Sequence, residues 1–495
     1  MTQMAAAGVA ETHSAVVFFV GDRAHKLKKP LDLGFLDFRS RAAREEVCRR
    51  EVELNRRLAP DVYLGVADVT GPDGELCDHL VVMRRMPGDR RLATLLLTGA
   101  TVENHLWRLA HLLAAFHARS ARTEAADDAA GIVATRGRWE ANTTALIADG
   151  FFDDTPVRTV HGLACRYLDG RTPLFDRRIA DGRAVDGHGD LLADDIFCLD
   201  DGPRVLDCIE FDDRLRLGDG LADAAFLAMD LERLGRPDLG SYFLDRYREH
   251  QDDVWPASLA HHHIAYRAQV RAKVTAIRAD QGDPHAAAEA AALLDLAASH
   301  LERGRVRLVL VGGLPGTGKS TLAAGLAGEL DATMLRSDEI RKELAGFGVD
   351  RPSPAAFREG IYTDAATART YKTMLDRADV ALGMGETVVL DASWTSELWR
   401  EQARDVAART SSDVIELRCQ ASPLVASGRM LRRASTGRDP SDATPEIAAA
   451  MAPVMAPWPQ AATIDTEDTA DHALAAALPH VQRRASTVEG AAIRT

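Results

Sequence analysis

Residues 313–320 have the composition and spacing of a loop that binds phosphate groups. They read Gly-Leu-Pro-Gly-Thr-Gly-Lys-Ser and follow the apolar run 306–311. Glycines let the backbone turn tightly and point N–H groups at phosphate oxygens, and a helix that begins near Lys319 adds the positive end of its dipole. Lys319 supplies a charge for the β- and γ-phosphates, and Ser320 supplies a hydroxyl for Mg²⁺. The segment therefore predicts a nucleoside triphosphate site. The predicted contacts are Gly313, Leu314, Pro315, Gly316, Thr317, Gly318, Lys319, Ser320 and Thr321.

Carboxylates elsewhere in the C-terminal half could complete a site for phosphoryl transfer, which depends on positioning and charge neutralisation. Asp391 ends an apolar run, where its carboxylate would face Mg²⁺. Asp338 follows another predicted strand, and we predict that it accepts the proton of the acceptor hydroxyl. The alternative is that Asp338 caps the helix that follows it. Arg341, three residues on, could pair with a substrate anion.

Three arginines lie in a predicted helix that ends before Gly437. They are Arg429, Arg432 and Arg433. A basic cluster of this kind could fold over the phosphates as a lid, and we select Arg433 as a catalytic candidate. The alternative is a solvated basic face of the helix.

A second acidic group lies in a glycine-containing segment of the N-terminal half. Asp190 sits in a predicted tight turn, Asp195 precedes the apolar run 196–199, and Glu210 belongs to a predicted strand over 205–211. Carboxylates at the ends of adjacent strands can hold Mg²⁺ between phosphate oxygens, and a third can face an acceptor. The alternative is a hairpin with acidic turns.

Two lysines upstream could contact phosphate. Lys26 and Lys28 are two residues apart on the predicted strand 24–28, so they share a face, and the sequence does not choose between them. Glu51, in the predicted helix 42–58, is our choice for the acid that orients this lysine. The competing acids are Glu45, Glu46 and Glu53.

The size and composition of the chain indicate its number of domains, its partners and its compartment. A chain of 495 residues is too long for one core, so two or three domains are expected. The net charge of −14 argues against nucleic acid or an anionic membrane as a partner. Six scattered cysteines, without a Cys-x-x-Cys pair, are typical of a reduced protein, and no signal peptide or membrane span is predicted. We therefore expect a cytoplasmic protein; its oligomeric state stays open.

The order of predicted elements differs between the two halves. A hairpin (15–20 and 24–28) and helix 42–58 open the chain, and residues 221–300 are mostly helical. From residue 305 onward, strands alternate with helices, which predicts a parallel sheet covered on both faces. We place the domains at 1–304 and 305–481, and the composition of 482–495 is typical of a disordered tail. The predicted strands of the second domain are 306–311, 332–335, 387–390, 413–417 and 461–464.

The C-terminal motifs resemble those of small P-loop kinases. The loop 313–320, Arg-Ser-Asp-Glu-Ile-Arg at 336–341, Val-Leu-Asp at 389–391, and the arginine pair ahead of Asp-Pro-Ser-Asp at 439–442 carry the resemblance. This group includes polynucleotide-kinase-like and zeta-toxin-like proteins, often classed as AAA-type ATPases. The resemblance implies the strand order 2-3-1-4-5, Asp338 as the catalytic base and an arginine lid.

The N-terminal segment 188–197, His-Gly-Asp-Leu-Leu-Ala-Asp-Asp-Ile-Phe, resembles the catalytic loop of the aminoglycoside phosphotransferase family, which usually reads His-Gly-Asp-Leu-His-x-x-Asn. The resemblance implies that Asp190 is the base, that Asp195 replaces the metal-binding Asn, and that Leu192 replaces the second His. It places Glu210 at the metal-binding carboxylate, with Asp212 as a neighbour that could substitute.

Together the resemblances imply an α+β protein-kinase-like domain followed by an α/β P-loop NTPase domain with a parallel sheet. The expected function is an ATP- and Mg²⁺-dependent phosphotransferase whose partner is a small-molecule acceptor with a hydroxyl group, of the sugar, amino-sugar or nucleotide-sugar class. Two alternatives stay open. One is an ATP-binding regulatory switch with a degenerate N-terminal domain, and the other is a toxin-like kinase.

Overall fold

The computed structural model describes residues 8–11, 14–31, 37–348, 359–436 and 443–482. The chain packs into two compact units, each built from separate stretches of sequence. The first comprises Met1–Arg138, Asp176–Trp255 and His263–Leu293, and the second comprises Trp139–Phe175, Pro256–His262 and Leu294–Thr495. The domain boundary after residue 304 stays a prediction, and the predicted tail from residue 483 onward lies outside the described residues.

The first unit opens with an antiparallel sheet covered by one helix. Its elements are β1 (Gly8–Glu11), β2 (Ala15–Val20), β3 (Arg23–Lys28), α1 (Arg41–Asn55), β4 (Tyr63–Thr70) and β5 (Leu76–Arg84). The strand order is β1-β2-β3-β5-β4. Cys48 and Val52 of α1 are buried in one core with Val81 and Met83 of β5. Buried residues alternate with half-buried ones along β3 and β5, so the buried residues share one face of the sheet. Helix α1 packs against that face. The predicted hairpin is confirmed.

Helices and short strands follow. The next helices are α2 (Leu92–Leu97), α3 (Glu103–Ala118), α4 (Glu124–Ala130), α5 (Ile132–Asp149), α6 (Asp154–Asp169) and α7 (Thr172–Ala180). They precede β6 (Ala184–Asp186), β7 (Ile196–Leu199), β8 (Gly202–Val205), β9 (Leu217–Asp219), α8 (Gly220–Arg233), α9 (Pro237–Gln251), α10 (Ala257–Asp280) and α11 (Ala286–Arg303). The predicted strand over 205–211 is wrong, because β8 ends at Val205 and Asp207 adopts a left-handed backbone with φ of 67°. A strand cannot continue through that conformation.

The second unit contains a five-stranded parallel sheet. Its elements are β10 (Arg307–Gly312), α12 (Lys319–Glu329), β11 (Thr333–Arg336), α13 (Ser337–Leu344), α14 (Asp364–Gly383), β12 (Val388–Asp391), α15 (Glu397–Arg409), β13 (Asp413–Gln420), α16 (Pro423–Thr436), α17 (Pro445–Met451), β14 (Ala462–Asp465) and α18 (Ala470–Val481). The order β11-β12-β10-β13-β14 is the predicted 2-3-1-4-5. Val309 and Val389 on the strands pack with Leu322 and Leu326 of α12 in the core. Across the described residues, we find no helix long and apolar enough to cross a membrane.

Candidate functional site

The loop between β10 and α12 has the backbone geometry of a phosphate cradle. Gly316 and Gly318 adopt left-handed conformations with φ of 80° and 83°. A Cβ atom at Gly316 would lie 2.5 Å from the carbonyl oxygen of Ala426, so only glycine fits there. Thr466 Oγ1 donates to the carbonyl oxygen of Thr317 at 2.6 Å, which ties the loop to the end of β14. Helix α12 begins at Lys319, so its N-terminal amides point toward the loop.

Residues predicted from distant parts of the sequence line one cavity of about 540 Å³ beside this loop. They are Lys319, Ser320, Asp338, Arg341, Asp391 and Arg433. The sheet brings them together, because β11 and β12 run parallel to β10 and their carboxyl ends share an edge. In the register, Asp391 lies opposite both Val311 of β10 and Arg336 of β11. Ligands bind at this edge in open parallel sheets.

Asp391 is the buried acid of this cavity. Its residue surface is 5% exposed, and Oδ2 accepts a hydrogen bond from Arg336 Nε at 3.3 Å. Oδ1 is buried and has no hydrogen-bond partner among the described residues. A buried carboxylate oxygen without a partner is costly, and a cation would satisfy it. Asp391 and the hydroxyl of Ser320 therefore fit Mg²⁺ at this site.

Asp338 lies inside helix α13, at its second residue. The cap position belongs to Arg336, and the helix N-terminus has no side-chain cap among the described residues. The capping alternative for Asp338 is therefore not observed, and its carboxylate, which is half-buried, lines the cavity instead. Its role as proton acceptor stays a prediction.

Arg341 carries a positive charge into the cavity wall. Its residue surface is 7% exposed, and Nη1 donates to Ile361 O and Thr367 Oγ1, both at 3.1 Å. The guanidinium also lies 4.8 Å from the centre of the Tyr362 ring. Within the described chain, Nε has no acceptor and the side chain has no ion pair with a carboxylate. A substrate anion would supply that counterion.

Aromatic residues that the sequence analysis missed complete the wall. Tyr371 and Trp399 line the cavity and stack with ring centres 5.1 Å apart. The Tyr371 hydroxyl accepts a hydrogen bond from the backbone N–H of Trp394 at 3.1 Å. Trp394 is fully buried and adopts a left-handed backbone with φ of 52°. In the sequence, the indication of this wall was the pair Trp394 and Trp399, which lies within eight residues after Asp391.

The three arginines of α16 occupy different environments. Arg433 lines the cavity and donates to Ala443 O at 3.2 Å. Arg429 donates to the carbonyl oxygen of Thr466. Arg432 is exposed. The acidic motif 439–442 lies outside the described residues, and the lid stays a prediction.

In the first unit, Glu51 of α1 joins both candidate lysines of β3. Glu51 is fully buried; Oε1 lies 2.9 Å from Lys26 Nζ, and Oε2 lies 2.6 Å from Lys28 Nζ. The competing acids Glu45 and Glu53 pair with arginines on the surface of α1. The predicted pairing of Glu51 is therefore observed, with two lysines instead of one.

Asp207 distinguishes the two lysines. Lys26 also forms an ion pair with Asp207, whereas Lys28 pairs with Glu210 at 2.5 Å. Packing around Asp207 opposes its ionisation, but the ammonium of Lys26 outweighs that effect and lowers the pKa of Asp207 to about 2. Lys26 therefore lies beside Asp207, and Lys28 lies beside Glu210.

The metal-ligand role of Glu210 stays a prediction, and the structure offers Asp207 as a second candidate for it. Glu210 neutralises Lys28, while the negative charge of Asp207 acts on both Asp190 and Asp195. Asp207 is therefore a candidate metal ligand beside Glu210. In the sequence, Asp207 is an acidic residue two positions after Val205, the last residue of β8. The alternative Asp212 pairs with Arg214.

The loop that carries Asp190 is held by Asp223 of α8. The Asp223 carboxylate accepts hydrogen bonds from the backbone N–H groups of His188 and Gly189 at 2.7 and 2.8 Å. His117 Nε2 lies 3.1 Å from the same carboxylate. These bonds fix the backbone on the N-terminal side of Asp190, as a positioned proton acceptor requires.

Asp190 and Asp195 share an environment that disfavours negative charge. Burial raises the pKa of Asp190 to about 6, although Arg271 opposes this. Burial, and then the charge of Asp207, raises the pKa of Asp195 well above its usual value. Over the part of the chain that the structure describes, no three His, Cys, Asp or Glu side chains form a complete metal site. Mg²⁺ at these carboxylates would therefore share its ligands with phosphate oxygens and water, as this ion commonly does.

Several known proteins are similar to parts of this chain. The AAA domain family AAA_33 matches residues 308–458. A solved structure of a putative kinase from Chloroflexus aurantiacus is 22% identical, covers 36% of this chain and 98% of its own, and has a TM-score of 0.29. A GDP and kanamycin complex of the aminoglycoside phosphotransferase APH(2″)-IIIa is 15% identical, covers 60% of this chain and 94% of its own, and has a TM-score of 0.39.

A Mycobacterium tuberculosis protein, Uncharacterized protein Rv2004c, is 44% identical over 479 residues, which are 96% of this chain and 95% of that protein. The first unit contains a five-stranded antiparallel sheet, and the AAA domain match lies in the part of the chain that carries the five-stranded parallel sheet. It belongs to the family of Rv2004c.

Proposed function

We propose that this protein is an ATP- and Mg²⁺-dependent phosphotransferase that moves the γ-phosphoryl group to a hydroxyl of a small molecule of the sugar, amino-sugar or nucleotide-sugar class. The observation that carries the proposal is the cavity lined together by Lys319, Asp338, Asp391 and Arg433. It combines a cation for phosphate, a carboxylate suited to a metal and a carboxylate for a proton. At about 540 Å³ it also has room for a sugar-sized acceptor beside the phosphate loop.

Each residue has a role that follows from its position. The loop amides and Lys319 bind the β- and γ-phosphates, and Asp338 accepts the proton of the attacking hydroxyl. Arg433 neutralises charge on the transferred group. Ser320 and Asp391 would hold Mg²⁺, which neutralises phosphate charge when it is bound. The stacked rings of Tyr371 and Trp399 offer a flat apolar wall for the acceptor.

The first unit supports a second transfer site of the same kind. Lys26, oriented by Glu51, would bind phosphate, and Asp195 and Asp207 would share the metal. Asp190, held in place through Asp223, would accept the hydroxyl proton. The protein would then contain two independent sets of transfer residues.

The test is ATP turnover across a library of small hydroxyl compounds, followed by identification of the phosphorylated product. We expect Lys319→Ala to abolish ATP binding at the loop, and Asp338→Asn to lower transfer by about 100-fold while ATP still binds. Lys372→Ala is the matched control, because Lys372 is an exposed lysine of the same unit that pairs with Asp376. Full turnover in Asp338→Asn would contradict the assigned role.

The same variants separate the alternatives. A regulatory switch should keep its output in Asp338→Asn, because that output needs ATP binding but not proton transfer. A toxin-like kinase should arrest growth on expression, and Lys319→Ala should abolish the arrest.

A further inference from the structure

Two arginines of helix α10 lie at the loop that carries Asp190. Arg267 donates from Nη1 to the carbonyl oxygen of Gly189 at 3.3 Å and from Nε to that of Ala222 at 3.1 Å. Its guanidinium therefore lies against the residue that precedes Asp190. Arg271 follows four residues later in the same helix, so both side chains share one helix face. Both residues are half-buried.

In the part of the chain that the structure describes, neither guanidinium has a carboxylate as an ion-pair partner. Over the described residues, neither Arg267 nor Arg271 forms an ion pair with a carboxylate, and Arg271 donates no hydrogen bond. Arg267 packs 4.7 Å from the centre of the Phe226 ring, which holds its position but does not neutralise it. Both charges act on Asp190, where they oppose the effect of burial on its pKa. Two guanidinium groups without an ion-pair partner among the described residues thus border the candidate proton acceptor.

We propose that Arg267 and Arg271 form an anion-binding subsite for the acceptor of the N-terminal site, which therefore takes a hydroxyl compound that carries a phosphate or carboxylate group. The inference rests on the proposed transfer function of this site and names its substrate class. A guanidinium binds either group through paired, charge-assisted hydrogen bonds.

The same charges select against other acceptors. A polycationic amino sugar would place its ammonium groups beside Arg267 and Arg271, and like charges brought together disfavour binding. A neutral sugar would leave Arg271 without a counterion. The subsite therefore sets this chain apart from a site built for a cationic acceptor.

The experiment uses the full chain with Lys319→Ala, which removes the loop site. The probes share one carbon skeleton and differ in charge: glucose 6-phosphate, gluconate, glucose and glucosamine. Binding to the ADP-saturated protein is measured by calorimetry, and transfer is measured by ADP release and mass spectrometry. We expect glucose 6-phosphate or gluconate to bind at least about tenfold more tightly than glucose and glucosamine, the worth of one charge-assisted contact. The relative order of the two anions shows whether the subsite prefers phosphate or carboxylate.

Variants on α10 test whether the arginines cause this preference. Arg271→Gln should weaken binding of the preferred anion about tenfold, with the KM for ATP unchanged, and Arg271→Lys should restore part of it. Arg278→Gln is the control, since Arg278 is an exposed arginine of the same helix that pairs with Asp283. Thermal melting confirms that each variant is folded.

Three outcomes would contradict the inference. These outcomes are equal or tighter binding of glucose or glucosamine, anion binding that survives in Arg271→Gln, and an effect of Arg271→Gln on the pH profile or the KM for ATP alone. If these occur while transfer continues, the phosphotransferase proposal stands without the subsite. Arginine-dependent anion binding without any ATP turnover would support the subsite and contradict the transfer function of this unit.

Discussion

Asp391 reaches the cavity with one oxygen bonded to Arg336 and the other without a partner among the described residues. Such an arrangement is costly in the free protein and is relieved when a cation arrives. We therefore interpret Asp391 as a residue of the candidate site, although it is as buried as a core residue.

A substitution at Asp391 tests this interpretation. We expect Asp391→Asn to weaken ATP binding in the presence of Mg²⁺ by about tenfold or more, and to leave metal-free ATP binding unchanged, because the amide is a poorer ligand for this cation. Calorimetric titrations with and without Mg²⁺ measure both values. Asp379→Asn, at an acid of α14 that pairs with Arg409, is the control. An equal loss in both titrations would contradict a metal role.

Asp190 predicts a pH dependence for the first unit. A carboxylate accepts a proton only when it is ionised, and the pKa of Asp190 is raised to about 6. In the Lys319→Ala protein, kcat/KM should therefore be constant well above pH 6 and should fall about tenfold per pH unit well below it. A pH–rate profile with the best acceptor measures this. A profile that stays flat from pH 5 to 8 would remove Asp190 from the reaction.

Among the elements of the first unit, β3, α1 and the loop after β8 are joined by one chain of charges. It runs from Asp207 through Lys26, Glu51 and Lys28 to Glu210. Most of these groups are buried, and a buried charge is costly unless a neighbouring opposite charge neutralises it. Lys28 thus links the loop after β8 to the sheet through Glu210, while Lys26 lies beside Asp207.

A double-mutant cycle on Lys28 and Glu210 tests this connection. Each single change, Lys28→Met or Glu210→Gln, leaves a charged partner without its neutralising group and should cost about 3 kcal/mol of unfolding free energy. The double variant should cost clearly less than the sum of the two. Urea unfolding of all four proteins gives the coupling. Additivity within about 0.5 kcal/mol would show that the pair is not coupled.

The loop between β10 and α12 offers a second test at the scale of elements. Gly316→Ala adds a methyl group in a left-handed conformation and 2.5 Å from a carbonyl oxygen, so it should lower both ATP affinity and stability. The expected loss is about 1–3 kcal/mol of unfolding free energy. Gly328→Ala is the control, because Gly328 lies in α12 with open space at its Cβ position and should be neutral or slightly stabilising. Equal effects of the two changes would contradict the close approach of Gly316 to Ala426.

At the scale of the whole molecule, the second unit includes helices from the N-terminal half of the chain. Arg171, which is almost fully buried, donates from Nη1 to Thr410 O at 2.8 Å. Ser258 Oγ donates to Gly385 O at 2.7 Å. Residues 139–175 therefore stabilise the same body as the phosphate loop, and chain order alone does not reveal this.

Gly170 gives this packing a direct test. A Cβ atom at Gly170 would lie 1.9 Å from the carbonyl oxygen of Thr410, so Gly170→Ala forces the end of α6 away from the segment before β13. We expect a loss of about 1–3 kcal/mol in unfolding free energy and a lower Tm, measured by calorimetry. Gly162→Ala, inside α6 with nothing near its Cβ position, should raise stability slightly. If Gly170→Ala is as stable as Gly162→Ala, this packing does not hold in solution.

The sequence by itself predicted the phosphate loop, the parallel sheet and the pairing of Glu51 with a lysine, and the structure contains all three. The roles of Asp338, Asp391 and Asp190 stay predictions. The loop and the sheet follow from glycine spacing and apolar runs, whereas the strand order followed from the resemblance to small P-loop kinases. Only the tertiary structure showed that Glu51 contacts both lysines. It also showed that Lys26 pairs with Asp207 and that Lys28 pairs with Glu210. It alone revealed the aromatic wall and the two arginines of α10. Those assignments depend on which side chains meet across elements far apart in the chain, and on one left-handed residue, Asp207, that ends a strand the apolar pattern had extended.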